Sequence, residues 1–287
     1  MRYTLITFGS LVLLRTEDGT AVGAPRRKPL ALLALIAAHG PVGLARERAA
    51  TLLWPEADSA RARHTLAQTL YGLRRELGVA PVLPGDPLRL DPGVISTDLE
   101  RFQQAAAGGD ADGAAEVYGG PFLDEVLYPG CVDLQHWADR QRRRLGAEFV
   151  NLLAADARRA SEAGAPDLVV RWVRAQAAAP QDPDLALAAA GALADIGRPD
   201  DAARLLERHV SAVERDDPGS PVDERVRPSI AALQATATGA DRTAPPAVGA
   251  PVPERQGTSP VISVRAVATA AVVLVLLVAL FAFVLAR

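Results

Sequence analysis

Residues 61–78 read RARHTLAQTLYGLRRELG. Ala62, Leu66, Leu70, Leu73 and Leu77 recur three or four residues apart, so they line one side of an α-helix. The other side has His64, Gln68, Tyr71 and Arg75, flanked by Arg61, Arg63 and Arg74. Asp58 is a cap and Gly78 a stop, which sets the helix at residues 59–77. The apolar stripe needs neighbouring helices to cover it. The polar stripe has the chemistry of a groove reader. Arginine pairs with guanine edges or phosphate, glutamine with adenine, and tyrosine or histidine with phosphate or a thymine methyl. Taken alone, the same stripe also fits a solvated helix face, so the flanking sequence decides.

Upstream, residues 46–54 read as a helix stopped by Pro55, and residues 30–39 as an apolar helix stopped by Gly40-Pro41. Residues 3–14 and 20–22 read as short strands around a turn at 17–19. Downstream, proline and glycine punctuate residues 80–93, and the alternation LRLDPGVIS at 88–96 suggests a hairpin. Strands, three helices and a hairpin are the order of a winged helix-turn-helix, whose last helix enters the major groove.

From Asp98 the chain turns alanine-rich and helical, with helices expected at 98–107, 111–118, 132–163, 167–178, 184–196, 200–214 and 222–233. GAPDLVVRWVR from Gly164 and GRPDDAARLLE from Gly197 form a weak repeat. Their offset of about 33 is close to a tetratricopeptide unit. Each copy would be a helical hairpin that needs neighbours to bury its apolar face. Residues 236–260, rich in alanine, proline, threonine and glycine, read as a disordered linker. Residues 266–286 are apolar throughout, between Arg265 and Arg287. As a helix they span roughly 31 Å, one bilayer core.

The expected organisation is therefore mainly α. A winged-helix domain at 1–97 is followed by an all-α tetratricopeptide-like domain at 98–235. The linker at 236–260 and a C-terminal transmembrane anchor at 261–287 complete it. Net charge is −3 overall. It divides into +4 for residues 1–97, −9 for 98–235 and +2 beyond. A basic front and an acidic middle direct an anionic partner to the front alone. Lys28 is the sole lysine in a chain that uses arginine elsewhere, so arginine content by itself says little about phosphate.

One cysteine, Cys131, excludes an intramolecular disulfide and a cysteine zinc site, and reads as a partly buried thiol. His39, His64, His136 and His209 match no metal spacing and read as surface or half-buried side chains. Trp54 and Trp172 read as core anchors. Residues 5–14 are too interrupted, by Thr7, Gly9 and Ser10, for a secretory leader. No catalytic, metal or cofactor residue is expected, so the mechanism is one of positioning. The folded domains are expected on the cytoplasmic side of the membrane.

Several stretches taken together resemble the SARP-type bacterial transcriptional regulators. They are LITFGSLVLL, RRKPLALLALIAAH, LLWPEADSARARHTLAQTLYGLRRELG, ISTDLERF, GPFLDEV, WADRQRRRL and DPDLALAAAGALADIGRPDDAARLLERHV. That family joins a response-regulator-type winged helix to a bacterial transcriptional activator domain. The resemblance implies a head that binds double-stranded promoter DNA, with residues 59–77 as recognition helix. It also implies a helical domain that engages RNA polymerase or another regulator, and a homodimer on repeated half-sites. By position it puts Arg26, Arg27 and Lys28 on phosphate and Arg89 in the wing, beside the helix residues Arg61, Arg63, His64, Gln68, Tyr71, Arg74 and Arg75. The chain departs from larger relatives in lacking a GxxxxGK[ST] loop, so ATP-driven switching is not implied. The alternative is a membrane-anchored helical-repeat adaptor that no longer binds DNA. Exposure of the polar face of residues 59–77 separates the two.

Overall fold

The computed structural model describes residues 2–22, 27–124, 130–219 and 221–242, with 238–242 as backbone alone. Arg26, linker residues 243–260 and the apolar span 266–286 lie outside them. Among the described residues no helix is long and apolar enough to cross a membrane.

The head begins with β1 (Tyr3–Ile6), which pairs antiparallel with β2 (Val12–Arg15) and parallel with β3 (Ile95–Thr97). The single strand expected over 3–14 is thus broken, and the break falls around Gly9. Gly9 has φ 75°, and a Cβ there would lie 2.7 Å from the carbonyl oxygen of Gly119. Only glycine admits both that conformation and that approach. The strand expected at 20–22 reduces to one bridge between Ala21 and Leu14.

Three helices follow: α1 (Arg27–Ala38), α2 (Arg46–Leu53) and α3 (Ser59–Leu77), with a 3-10 turn at Gly40–Val42 between the first two. The sheet covers α1 and α3 through Leu5, Leu13, Leu33, Leu73 and Leu77. The Tyr3 hydroxyl donates to the Leu77 carbonyl at 2.9 Å, tying the last turn of α3 to the sheet.

The hairpin expected over 88–96 is displaced. Its paired arms are 81–83 and 89–91, with the Leu83 amide on the Arg89 carbonyl at 2.9 Å and the Asp91 amide on the Pro81 carbonyl at 3.0 Å. Asp91 then turns the chain: its carboxylate accepts from the Gly93 amide, and its carbonyl from the amides of Val94 and Ile95. Ile95 is thereby sent back to pair with Tyr3 instead of Leu88 or Leu90.

The helical region comprises α4 (Asp98–Gly108), α5 (Ala111–Val117), α6 (Val132–Glu162), α7 (Leu168–Ala178), α8 (Pro183–Asp195), α9 (Pro199–Asp216) and α10 (Val226–Arg242). From α6 onward each packs on the next. Gly164 and Gly197, the two repeat glycines, end α6 and α8 in the same way. Each glycine has positive φ, its amide reaches three residues back, and the next amide reaches five back. That is the Schellman turn. Gly109 repeats it between α4 and α5, with its amide on Ala106 and that of Asp110 on Ala105. Three helical hairpins therefore share one turn, where the repeat in the sequence showed two.

Helix α10 runs to Arg242, past the expected end at Leu233 and into the expected linker. Residues 236–242, TATGADR, hold no proline, and prolines start only at Pro245. One glycine weakens a helix without stopping it.

Head and helical region share one core across the boundary expected at residue 98. The Phe8 ring meets Tyr118 at 4.8 Å, Phe102 at 5.2 Å and Phe122 at 6.3 Å between centroids. Beside it the buried Asp98 carboxylate accepts from the Thr7 amide and hydroxyl, each at 2.7 Å, and from the Phe8 amide at 2.9 Å. With the Leu99 amide at 2.8 Å, four donors compensate its burial without a cation.

Among the histidines, His209 differs from expectation: it is buried, not at the surface. It lies on the face of α9 that buries Ala202, Leu205 and Leu206, and its Nδ1 sits 2.9 Å from the Pro180 carbonyl oxygen, so the ring is satisfied there. Cys131 is fully buried, and Trp54 and Trp172 are half-buried at the edge of the core.

Candidate nucleic-acid interface

Helix α3 has the bounds expected of it. Asp58 caps it, its carboxylate accepting from the Arg61 amide at 2.8 Å, and Gly78 ends it in the left-handed conformation. Ala62, Leu66, Leu73 and Leu77 are buried and Leu70 is half-buried, so the apolar stripe faces inward as read.

Arg61, Arg63, His64, Gln68, Tyr71, Arg74 and Arg75 are all exposed. Tyr71 is an exposed aromatic side chain on the helix, at 68 %. At about 100° per residue, Arg61, His64, Gln68, Tyr71 and Arg75 fall within a single stripe roughly 80° wide. Arg63 and Arg74 flank it, on the side nearer Leu70. Glu76 is the one acidic residue within α3, so the stripe is cationic along its length.

Two side chains on the stripe and one beside it are held. Gln68 Nε2 lies 2.9 Å from His64 Nε2. An amide NH₂ only donates, so in this arrangement His64 Nε2 accepts and its proton is on Nδ1. Arg63 Nε donates to the Ser59 carbonyl at 3.1 Å, one turn back.

Near the start of α3, Lys28 stands 5.7 Å over the Trp54 ring. Lys28 and Arg61 line one cleft of about 420 Å³ together with Trp54, Thr65 and Cys131. The structure thus brings Lys28 to the start of α3. Arg27 is exposed at the first residue of α1. Arg89 is drawn elsewhere: it sits on the second arm of the hairpin and its Nε donates to the Pro41 carbonyl at 2.9 Å. Arg48 on α2 is a further exposed cation that the sequence reading did not name. Its only signal was position, in the helix before α3.

Among the described residues, every ion pair lies in the helical region, from Arg174–Asp112 to Arg227–Glu214. None involves a cation of the head. The strongest pairs of the helical region also shift titration. The Arg225 side chain and amide hydrogen-bond Asp223 and hold its carboxyl down to about 2. Arg171 bonds Asp167 and keeps it below the usual carboxylate range.

No family model and no curated protein matches this chain significantly. A solved structure does: Mycobacterium tuberculosis EmbR in complex with a low affinity phosphopeptide. The TM-score is 0.53 at 21 % identity, over 84 % of this chain and 70 % of that one. The likeness is one of fold.

Proposed function

We propose that this protein is a SARP-type transcriptional regulator that binds promoter DNA through α3. The observation that supports it is the exposed, cationic stripe of Arg61, His64, Gln68, Tyr71 and Arg75 on a well-capped helix, which forms no ion pair among the described residues. Neutralised surface arginines would have been expected if the head had become only a scaffold. The exposure of the stripe favours this reading over that of an adaptor without DNA binding.

In this mechanism Gln68, His64 and Arg75 meet base edges, and Arg63, Arg74 and Lys28 meet phosphate. Arg27 and Arg26 extend the phosphate contacts beyond Lys28. A homodimer reads two half-sites. The helical region engages RNA polymerase or another regulator, and the span 266–286 tethers the protein to the cytoplasmic face of the membrane. No cofactor, metal or chemical step is involved.

The test is binding of the full chain to its own upstream DNA and to random DNA across a salt series. Selective binding that falls steeply with salt is expected. Binding no better than to random DNA at low salt would sink the proposal and return the adaptor reading.

A further inference from the structure

A cavity of about 520 Å³ opens where the end of α1, the 81–91 hairpin, β3 and the first turns of α4 meet. It is separate from the α3 stripe, and its size suits a small organic ligand. Ile36, Leu90 and Ile95 form apolar wall, and Ile36 and Ile95 are almost wholly buried. Leu83, 39 % exposed, is an apolar side chain left open to solvent there.

The polar groups are few and differ by side. Arg89 lines the cavity from the hairpin, and its Nε is fixed on the Pro41 carbonyl at 2.9 Å. Its two terminal amino groups make no hydrogen bond or ion pair among the described residues. A guanidinium held by one nitrogen with two donors free is preorganised for a carboxylate. Glu100 and Gln103 line the cavity from α4. Glu100 repels a second anion on that side and accepts a hydrogen bond instead.

We propose that this cavity binds a small amphipathic organic acid, its apolar body on Ile36, Leu90 and Ile95 and its carboxylate on Arg89. An occupant touches both the hairpin and α4, so it couples the wing to the helical region. That coupling rests on the DNA-binding reading; ligand binding itself does not.

The probe is dansylglycine, an apolar bicycle with one carboxylate, titrated into the full chain in lipid nanodiscs and followed by its fluorescence. The controls are Arg89→Gln, which removes the guanidinium, and Gln103→Trp, a surface change that fills the mouth. Expected are saturable binding by the wild type, about tenfold weaker binding by Arg89→Gln, and none by Gln103→Trp. Fluorescence that does not saturate, or equal affinity in all three proteins, overturns the proposal. A DNA titration with and without the probe keeps the two readings apart. Probe binding by a protein that binds no DNA leaves the site standing and removes only the regulator.

Discussion

Arginine does two different jobs in the two halves of this molecule. In the helical region it is spent on acids of the same chain: Arg171 bridges Asp156 and Asp167, and Arg225 bridges Asp184 and Asp223. In the head, Arg61, Arg63, Arg74, Arg75 and Arg48 are exposed and none forms an ion pair. The sequence is arginine-rich throughout, so composition does not separate these uses. The separation comes from where acids were placed. Acidic residues outnumber basic ones in residues 98–235, while α3 holds only Glu76. Surface ion pairs stabilise little. Their greater effect here is to neutralise, which leaves the head as the cationic part of the described molecule.

The contrast can be broken where the halves are joined. Asp98→Ala removes a buried acceptor of four hydrogen bonds and orphans the amides of Thr7, Phe8 and Leu99. It should cost about 3 kcal/mol or more, seen as a large drop in the denaturation midpoint. A loss below about 1 kcal/mol would mean that the junction is not where head and repeats are held together. Next in size, Asp58→Ala uncaps α3 and should cost about 1 kcal/mol. Unfolding followed by helical circular dichroism checks this. Retained stability would show that α3 is held by its buried stripe alone.

The smallest effect sharpens the contrast by pH. Arg225 depresses the Asp223 carboxyl to about 2 in the folded chain. A depressed acid contributes above its unfolded value and loses that contribution as pH falls toward about 2. The pair is exposed, so the consequence for stability is slight. It is better read by carboxyl NMR titration, where Arg225→Ala should raise the Asp223 carboxyl toward the usual range, the residue-225 amide still holding it partly down. An unchanged titration would mean that the pair is not formed.

Helix α3 was legible because its signals are local. Asp58, Gly78 and five apolar positions within nineteen residues set its bounds and its inward face. The hairpin was less so, because LRLDPGVIS alternates along its whole length and its partners lie far away. Leu88 goes to Leu44 and Ile95 to Tyr3, which no local pattern encodes. Both helices of the hairpin at Gly109 were expected, but its kinship to the repeat was not, because Gly109 lacks the proline-aspartate that marks Gly164 and Gly197. Its Schellman turn needs only the glycine. That Asp98, at the start of an expected helix, faces the Thr7 and Phe8 amides is a tertiary fact. For the candidate site, exposure of the α3 stripe followed from periodicity, but the fates of Lys28 and Arg89 did not. One is brought to α3 across the Trp54 ring, and the other is pulled onto Pro41.

The central claim is that Arg63 and Arg74 of the head face phosphate and the paired arginines of the helical region do not. The direct measurement is the slope of log affinity against log salt for the full chain on its own upstream DNA. It would compare wild type, Arg63→Ala with Arg74→Ala, and Arg171→Ala with Arg225→Ala. Each arginine withdrawn from a phosphate should reduce the slope by about 0.9. The head variant should therefore lose up to about two units of slope, and the helical-region variant should keep the wild-type slope. The same slope in the head variant, or a reduced slope in the helical-region variant, would contradict the account.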